Sequence, residues 1–150
     1  MGQSLVRNYT HIIFSTKHRV KMILPPVENE LHTYLGGICN DFDHQVVKVG
    51  GFTDHVHILC HLLKKVPLIK LMAAIKSNSS KWIKTKGETY ENFFWQDGYG
   101  SFSVSPHKVD LVAKYIENQH EHHSKVTFKK EYITFLEKYG VVYDERYVWD

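Results

Sequence analysis

The sequence predicts an α+β domain, an antiparallel sheet with two helices on one face and a further helix over the other. Two observations carry this expectation. Segments rich in β-branched and aromatic residues alternate with amphipathic helical ones in the order β-α-β-β-α-β, followed by extra helix. The second and third strands are joined by a link so short that an antiparallel hairpin is the natural connection. That order is the ferredoxin-like split βαβ arrangement. A length of 150 residues fits one domain, 1–150, with a real core.

Each element has a local reason. Tyr9 to Phe14 is mostly β-branched or aromatic and reads as the first strand, with Lys17-His18-Arg19 as a basic exit. Pro25-Pro26 opens a helix whose apolar face is Leu31, Tyr34, Leu35, Ile38 and Phe42, although Gly36-Gly37 lowers its propensity. His44 to Val49 reads as the second strand, Gly50-Gly51 as a turn, and His55 to Leu62 as the third strand. After Pro67 a long amphipathic helix carries Leu68, Leu71, Met72, Ile75, Trp82 and Ile83 on one face and lysines on the other. The segment Phe93–Gly100 is a loop rich in aromatics and glycine, and Ser101 to Ser105 is a short strand. Ser105-Pro106 suits a helix start, with Ser as N-cap, for a helix running from about Pro106 to about His122. A last helix near Phe128–Tyr139 ends at Gly140, and the tail Val141–Asp150 alternates partly like an edge strand.

Composition excludes several classes. Hydrophobic residues are 43% and charged residues 23%, the profile of a soluble globular protein. No run approaches the ~20 apolar residues of a membrane span, and no secretory leader opens the chain. The two cysteines, Cys39 and Cys60, have no zinc-type spacing and read as buried thiols in a reducing cytoplasm. A net charge of +3 permits nucleic acid as a partner without requiring it.

The chemistry lies in two short patterns. Side chains alternate along a strand, so His55 and His57 share a face while Val56, Ile58 and Cys60 take the helix-covered one. Tyr115 and Gln119 stand four apart on a helix, hence on one face about one turn (~5–6 Å) from each other. Taken alone, the first pair is a strand that happens to carry histidines, and the second a buried tyrosine near a solvated glutamine. Folding that helix over the open sheet face unites them. His55, His57 and Gln119 then become ligands of a cation with positions left for water and substrate, beside Tyr115. Oxygen-rich octahedral coordination favours Mg²⁺ or Mn²⁺, whereas imidazoles also suit zinc, so spacing does not choose. A phenol near a hard cation suggests phosphoryl chemistry, because positive charge stabilises the attacking phenolate.

These residues resemble a known family. His55-Val56-His57 has the His-hydrophobic-His form of the HUH endonucleases, and Tyr115-Ile116-Glu117-Asn118-Gln119 with His122-His123 looks like their single-tyrosine helix. The block Trp95–Val104, the opening Tyr9–Arg19 and the tail Tyr143–Tyr147 resemble the small single-tyrosine transposases of simple bacterial insertion sequences, REP-associated relatives included. The resemblance implies cutting and rejoining of single-stranded DNA at hairpin-bearing transposon ends, with Mg²⁺ or Mn²⁺ and a 5′-phosphotyrosine intermediate. It implies Tyr115 as nucleophile, His55, His57 and Gln119 as metal ligands, and a homodimer in which the tyrosine helix of one subunit can complete its partner's site. His120, His122 and His123 are open between a site and a surface helix end.

DNA-contact candidates are Lys17, Arg19, Lys76, Lys81 and Lys84, each equally readable as a solvated cation. Trp95 and Tyr99 read either as base-stacking aromatics or as core. The nearest alternatives are a domesticated hairpin-specific nickase and a non-catalytic nucleic-acid-binding module, and a zinc-dependent small-molecule hydrolase stands further off. Hairpins flanking the gene and covalent capture of DNA would separate them.

Overall fold

The computed structural model of the chain describes residues 2–63 and 65–150. Four antiparallel strands, β1 (Tyr9–Ser15), β2 (Gln45–Phe52), β3 (His55–His61) and β4 (Gly100–Val104), form one sheet in the order β2-β3-β1-β4. Two helices, α1 (Pro25–Asp41) and α2 (Leu68–Lys84), cover one face. Three others, α3 (Val109–Glu117), α4 (Gln119–His122) and α5 (Phe128–Lys138), cover the second. The α+β arrangement of the split βαβ type is therefore the observed one.

Strand alternation divides the core. Ile12 and Phe14 of β1 and Val56, Ile58 and Cys60 of β3 pack with Leu31, Leu35 and Ile38 of α1 and with Leu71, Met72 and Ile75 of α2. Tyr34 stacks on Trp82 at 4.8 Å and joins the two helices. Cys39 and Cys60 are buried free thiols in this layer. On the other face the apolar side chains form two separate clusters. Leu59, Val104 and Ile116 meet under α3, and Ile13, Phe102, Phe128, Tyr132 and Leu136 meet under α5. Polar side chains from β1 and β3 occupy the seam between them, which makes every residue of β3 buried.

Four local expectations are corrected. The turn lies at Thr53-Asp54 rather than Gly50-Gly51, because β2 runs on through both glycines and pairs Gly50 with His57 and Phe52 with His55. The reason is close approach by α3. A Cβ on Gly50 would stand 2.6 Å from the Ile116 carbonyl oxygen, and one on Gly51 would collide with the His55 carbonyl. Gly50→Ala should therefore lift α3 and destabilise the fold by about 1–3 kcal/mol in chemical denaturation, with no loss if α3 packs elsewhere.

The single helix expected over Pro106–His122 is broken. Pro106–Lys108 is a 3-10 turn, Ser105 makes no side-chain cap, and α3 ends at Asn118, whose φ of −94° and ψ of 21° leave the helical region before α4 resumes. The tail forms no strand. It turns back at Tyr147 and Val148, which bond the Asp144 carbonyl, and packs Tyr143, Val148 and Trp149 on the α5 cluster. Burying those side chains outweighs pairing with an exposed sheet edge. Among the described residues no helix is long and apolar enough to cross a membrane.

Candidate metal and nucleophile site

The seam between the two clusters holds the expected residues. His55 and His57 are fully buried, not half-exposed, and Gln119 is buried beside them. Gln119 Oε1 lies 3.0 Å from His55 Nε2, and the Tyr115 ring stands edge-on to His57 at 5.9 Å. The break at Asn118 resets the direction of the chain between Tyr115 and Gln119, so both reach inward. All four residues come together within one chain.

Two further groups that could hold a metal join them, Glu131, which the sequence reading did not single out, and His123, which it left open. Glu131 projects from the first turns of α5 and is buried. It lies 3.1 Å from His57 Nε2 and 3.2 Å from His123 Nε2, and accepts from Gln119 Nε2 at 3.1 Å. The Tyr115 hydroxyl also donates to it in a very short hydrogen bond. His123 Nε2 lies 2.8 Å from Gln119 Oε1. The sequence did carry a signal for Glu131: with Phe128, Tyr132 and Phe135 at helical spacing around it, a carboxylate stands on the apolar face of α5. His123 carried none beyond its place in a run of histidines.

The outer nitrogens of these imidazoles are already engaged. His55 Nδ1 donates to Asp54 Oδ1 at 2.7 Å, His123 Nδ1 donates to the Val126 carbonyl at 2.7 Å, and His57 Nδ1 meets His11 Nε2 at 2.7 Å. With Nδ1 of both rings so engaged, Nε2 of His55 and of His123 faces the Gln119 and Glu131 oxygens, where it must either carry a proton or share a cation with them. Such a concentration of acceptors calls for a cation or for protons. The ligand atoms of His55, His57, His123 and Glu131 all lie within 4.8 Å of one another. Separations of 2.8–3.1 Å between neighbouring donors match the ~3 Å between adjacent ligands of an octahedral ion with ~2.1 Å bonds. The residues therefore fit a divalent ion, and the Asp54 and His11 contacts would orient its imidazoles.

Electrostatics follow from burial and from Glu131. Burial opposes ionisation of Glu131, but hydrogen bonds from His123 and His57 outweigh it and hold the carboxyl well below its ordinary range. Burial lowers His57 to about 4, with Glu131 pulling the other way. For His123 burial also opposes the charge, yet Glu131 and the Val126 carbonyl leave it raised. Burial first and the Glu131 charge second push the Tyr115 hydroxyl up, so at neutral pH it is a phenol donating to Glu131. A divalent ion among these ligands would offset that charge, and adding Mn²⁺ to the metal-free protein should raise its melting temperature. Saturation at 100-fold over the dissociation constant corresponds to about 2.7 kcal/mol. A melting temperature indifferent to Mn²⁺ and Mg²⁺ would remove the site.

The cationic candidates mostly have partners inside the chain. Lys76 Nζ donates to the carbonyls of Gln96, Asp97 and Gly98 at 2.6–2.8 Å, and burial lowers it to about 8, against the pull of Asp97. Lys17 faces Asp97 at 3.6 Å, Arg19 donates to the Trp149 carbonyl at 2.6 Å, and Lys84 bonds Ser80 at 3.0 Å. Lys81 is exposed. All of α2 lies in the layer opposite Tyr115. Lys76→Ala should lower stability by about 1–3 kcal/mol through the abandoned carbonyls, read as a melting shift. A variant with unchanged melting and weakened DNA binding would instead restore Lys76 as a contact. Trp95 is core, donating from Nε1 to Ser79 Oγ at 2.9 Å, and Tyr99 packs against the same layer.

ISDra2 transposase TnpA of Deinococcus radiodurans is 24% identical over 116 residues, 74% of this chain and 83% of that protein. A transposase crystal structure from Deinococcus radiodurans superposes with a TM-score of 0.61 at 24% identity, covering 79% of this chain and 96% of that one. A REP-associated tyrosine transposase bound to a REP hairpin superposes with a TM-score of 0.61 at 12% identity, over 84% of this chain and 74% of that one. Both superpositions agree on the fold. Residues 4–119, from before β1 to the inward-facing Gln119, match the family model described as Transposase IS200 like, and the chain belongs to that transposase family.

Proposed function

We propose that this transposase cuts and rejoins single-stranded DNA at hairpin-bearing element ends, through a covalent link between Tyr115 and a 5′-phosphate. The observation that carries the reading is the Tyr115 hydroxyl donating to Glu131, a carboxylate shared with His57, His123 and Gln119. A half-buried phenol tied to a metal-type donor set has few structural uses, and a nucleophile needs that neighbourhood.

Tyr115 gives its proton to Glu131 as its oxygen bonds to phosphorus, and the P–O3′ bond breaks. Glu131, too acidic to keep that proton, passes it on to the departing 3′-oxygen, so one strand ends in a 3′-hydroxyl and the other stays on the protein as a 5′-phosphotyrosine. Attack by a 3′-hydroxyl on that link reverses the steps and frees Tyr115, with no external energy source. His55, His57 and Gln119, joined by Glu131 and His123, would hold Mg²⁺ or Mn²⁺, which when bound neutralises charge developing on the phosphate. Lys17, Arg19, Lys81 and Lys84 are retained as proposed DNA contacts, and Lys76 is given up to the loop it holds.

The hairpin substrate is supported by the hairpin-bound relative of similar fold. A homodimer rests on the resemblance alone. Sedimentation tests the dimer separately. The same reading takes residues 1–150 as one catalytic domain, supported by the packing of α5 and the tail on the sheet. It sets the protein in the cytoplasm, supported by two buried free thiols. The test is incubation with a labelled single strand from the gene's own flanks, run on a denaturing gel. The expected result is a covalent adduct that EDTA prevents and Mg²⁺ or Mn²⁺ restores. An adduct formed equally well without divalent ions would break the metal reading, and no adduct on any flanking strand would break the whole.

A further inference from the structure

A cavity of about 470 Å³ lies between α3 and α5, with Tyr115 among its lining residues. Its walls are apolar, with Leu111 and Val112 on one side and Phe135 and Tyr139 on the other. The Phe135 and Tyr139 rings are nearly parallel, 11° apart, and Phe135 also stands 5.9 Å from the Tyr115 ring. Leu111 is 63% exposed and Tyr139 is 40% exposed, so this apolar surface is open to a ligand. Lys130 and Lys138 border the same cavity.

We propose that this cavity receives an unpaired nucleobase adjoining the phosphate that Tyr115 attacks. The inference deepens the reading of Tyr115 as the nucleophile and rests on it. A phosphodiester in reach of the hydroxyl leaves its neighbouring nucleotide at the cavity mouth. Parallel aromatic faces and an aliphatic wall accept a flat ring of any base, and the two lysines suit the sugar–phosphate chain passing the rim. A single strand offers bases free to leave the stack, whereas a paired base would first have to be extruded. A second copy of this chain seated here would cover the Tyr115 hydroxyl and shut out the phosphate, which argues against that occupant.

The test couples the base to the pocket. Adduct formation by the wild-type chain on a single strand from the gene's flanks first locates the cut. Binding is then measured in the non-cleaving Tyr115→Phe background, with the intact strand and with strands made abasic at the nucleotide on either side of the cut. One abasic strand should bind roughly tenfold more weakly, the size of one base–aromatic stack. Adding Leu111→Ser and Tyr139→Ala should weaken the intact strand by a similar factor and erase its advantage over the abasic one. Both side chains are solvent-exposed, and the abasic strands need no altered pocket, so a folding defect cannot imitate the coupling. Abasic strands that bind as well as the intact one overturn the proposal. Pocket variants that weaken all strands equally overturn it as well. A change of sedimentation mass with unchanged base discrimination overturns it in favour of an interface between copies. Absence of any adduct at the first step fails the nucleophile reading, a separate outcome.

Discussion

Tyr115→Phe should abolish the covalent protein–DNA adduct while leaving strand binding and the fold intact. The phenol oxygen is the only atom removed. The ring keeps its contacts with His11, His57, His122 and Phe135. Glu131 keeps Gln119 Nε2 at 3.1 Å and the His122 and His123 imidazoles at 3.2 Å, so the carboxylate is not orphaned. Stability should therefore change by no more than about 1 kcal/mol, the net worth of one hydrogen bond. Cleavage should fall on the order of 10⁴-fold or more, because the attacking oxygen is gone. Denaturing gels read the adduct and calorimetry reads the fold. Adduct persisting in the variant would move the nucleophile elsewhere.

Glu131→Gln should be nearly as damaging, for a different reason. The shape is kept, but the charge that His57, His123 and Tyr115 share is gone, and an amide cannot accept the phenolic proton. Divalent-ion affinity should drop roughly 10–100-fold. Single-turnover cleavage at saturating Mn²⁺ should fall about 10²–10⁴-fold, the usual worth of a positioned base. At the same time the Tyr115 hydroxyl, no longer facing a carboxylate, should titrate nearer its ordinary value, visible as a lowered ultraviolet phenolate transition. Tighter Mn²⁺ binding or faster cleavage by the variant would make Glu131 a competitor of the ion and end its role as ligand and base.

Much of the site was legible because local periodicity encodes direction. Alternation along β3 put His55 and His57 on one face and Val56, Ile58 and Cys60 on the other, and packing follows that division. Helical spacing predicts Tyr115 and Gln119 on one side of a single helix, and both do reach inward, but across the break at Asn118. Periodicity says nothing of what closes over a face, however. One helix was expected over the face of His55 and His57, and α5 closes over it together with α3 and α4. The turn was misplaced because Gly50-Gly51 has the composition of a loop, while its use is to let Ile116 approach the strand. Lys76 looked like the other lysines of α2 until the loop carbonyls of Gln96, Asp97 and Gly98 were found around it.

By itself the sequence determined the element order, the two faces of the sheet and the face on which His55 and His57 lie, since each depends on residue type and on repeats of two or about 3.6 positions. The tertiary structure alone decided that α5 returns to the same seam, bringing Glu131 to the Tyr115 hydroxyl across 16 positions of chain. It also decided that His123 lies beside Gln119 and Glu131 in that seam. Those contacts depend on how helices pack across a gap between two apolar clusters, and packing of that kind has no signature in local spacing.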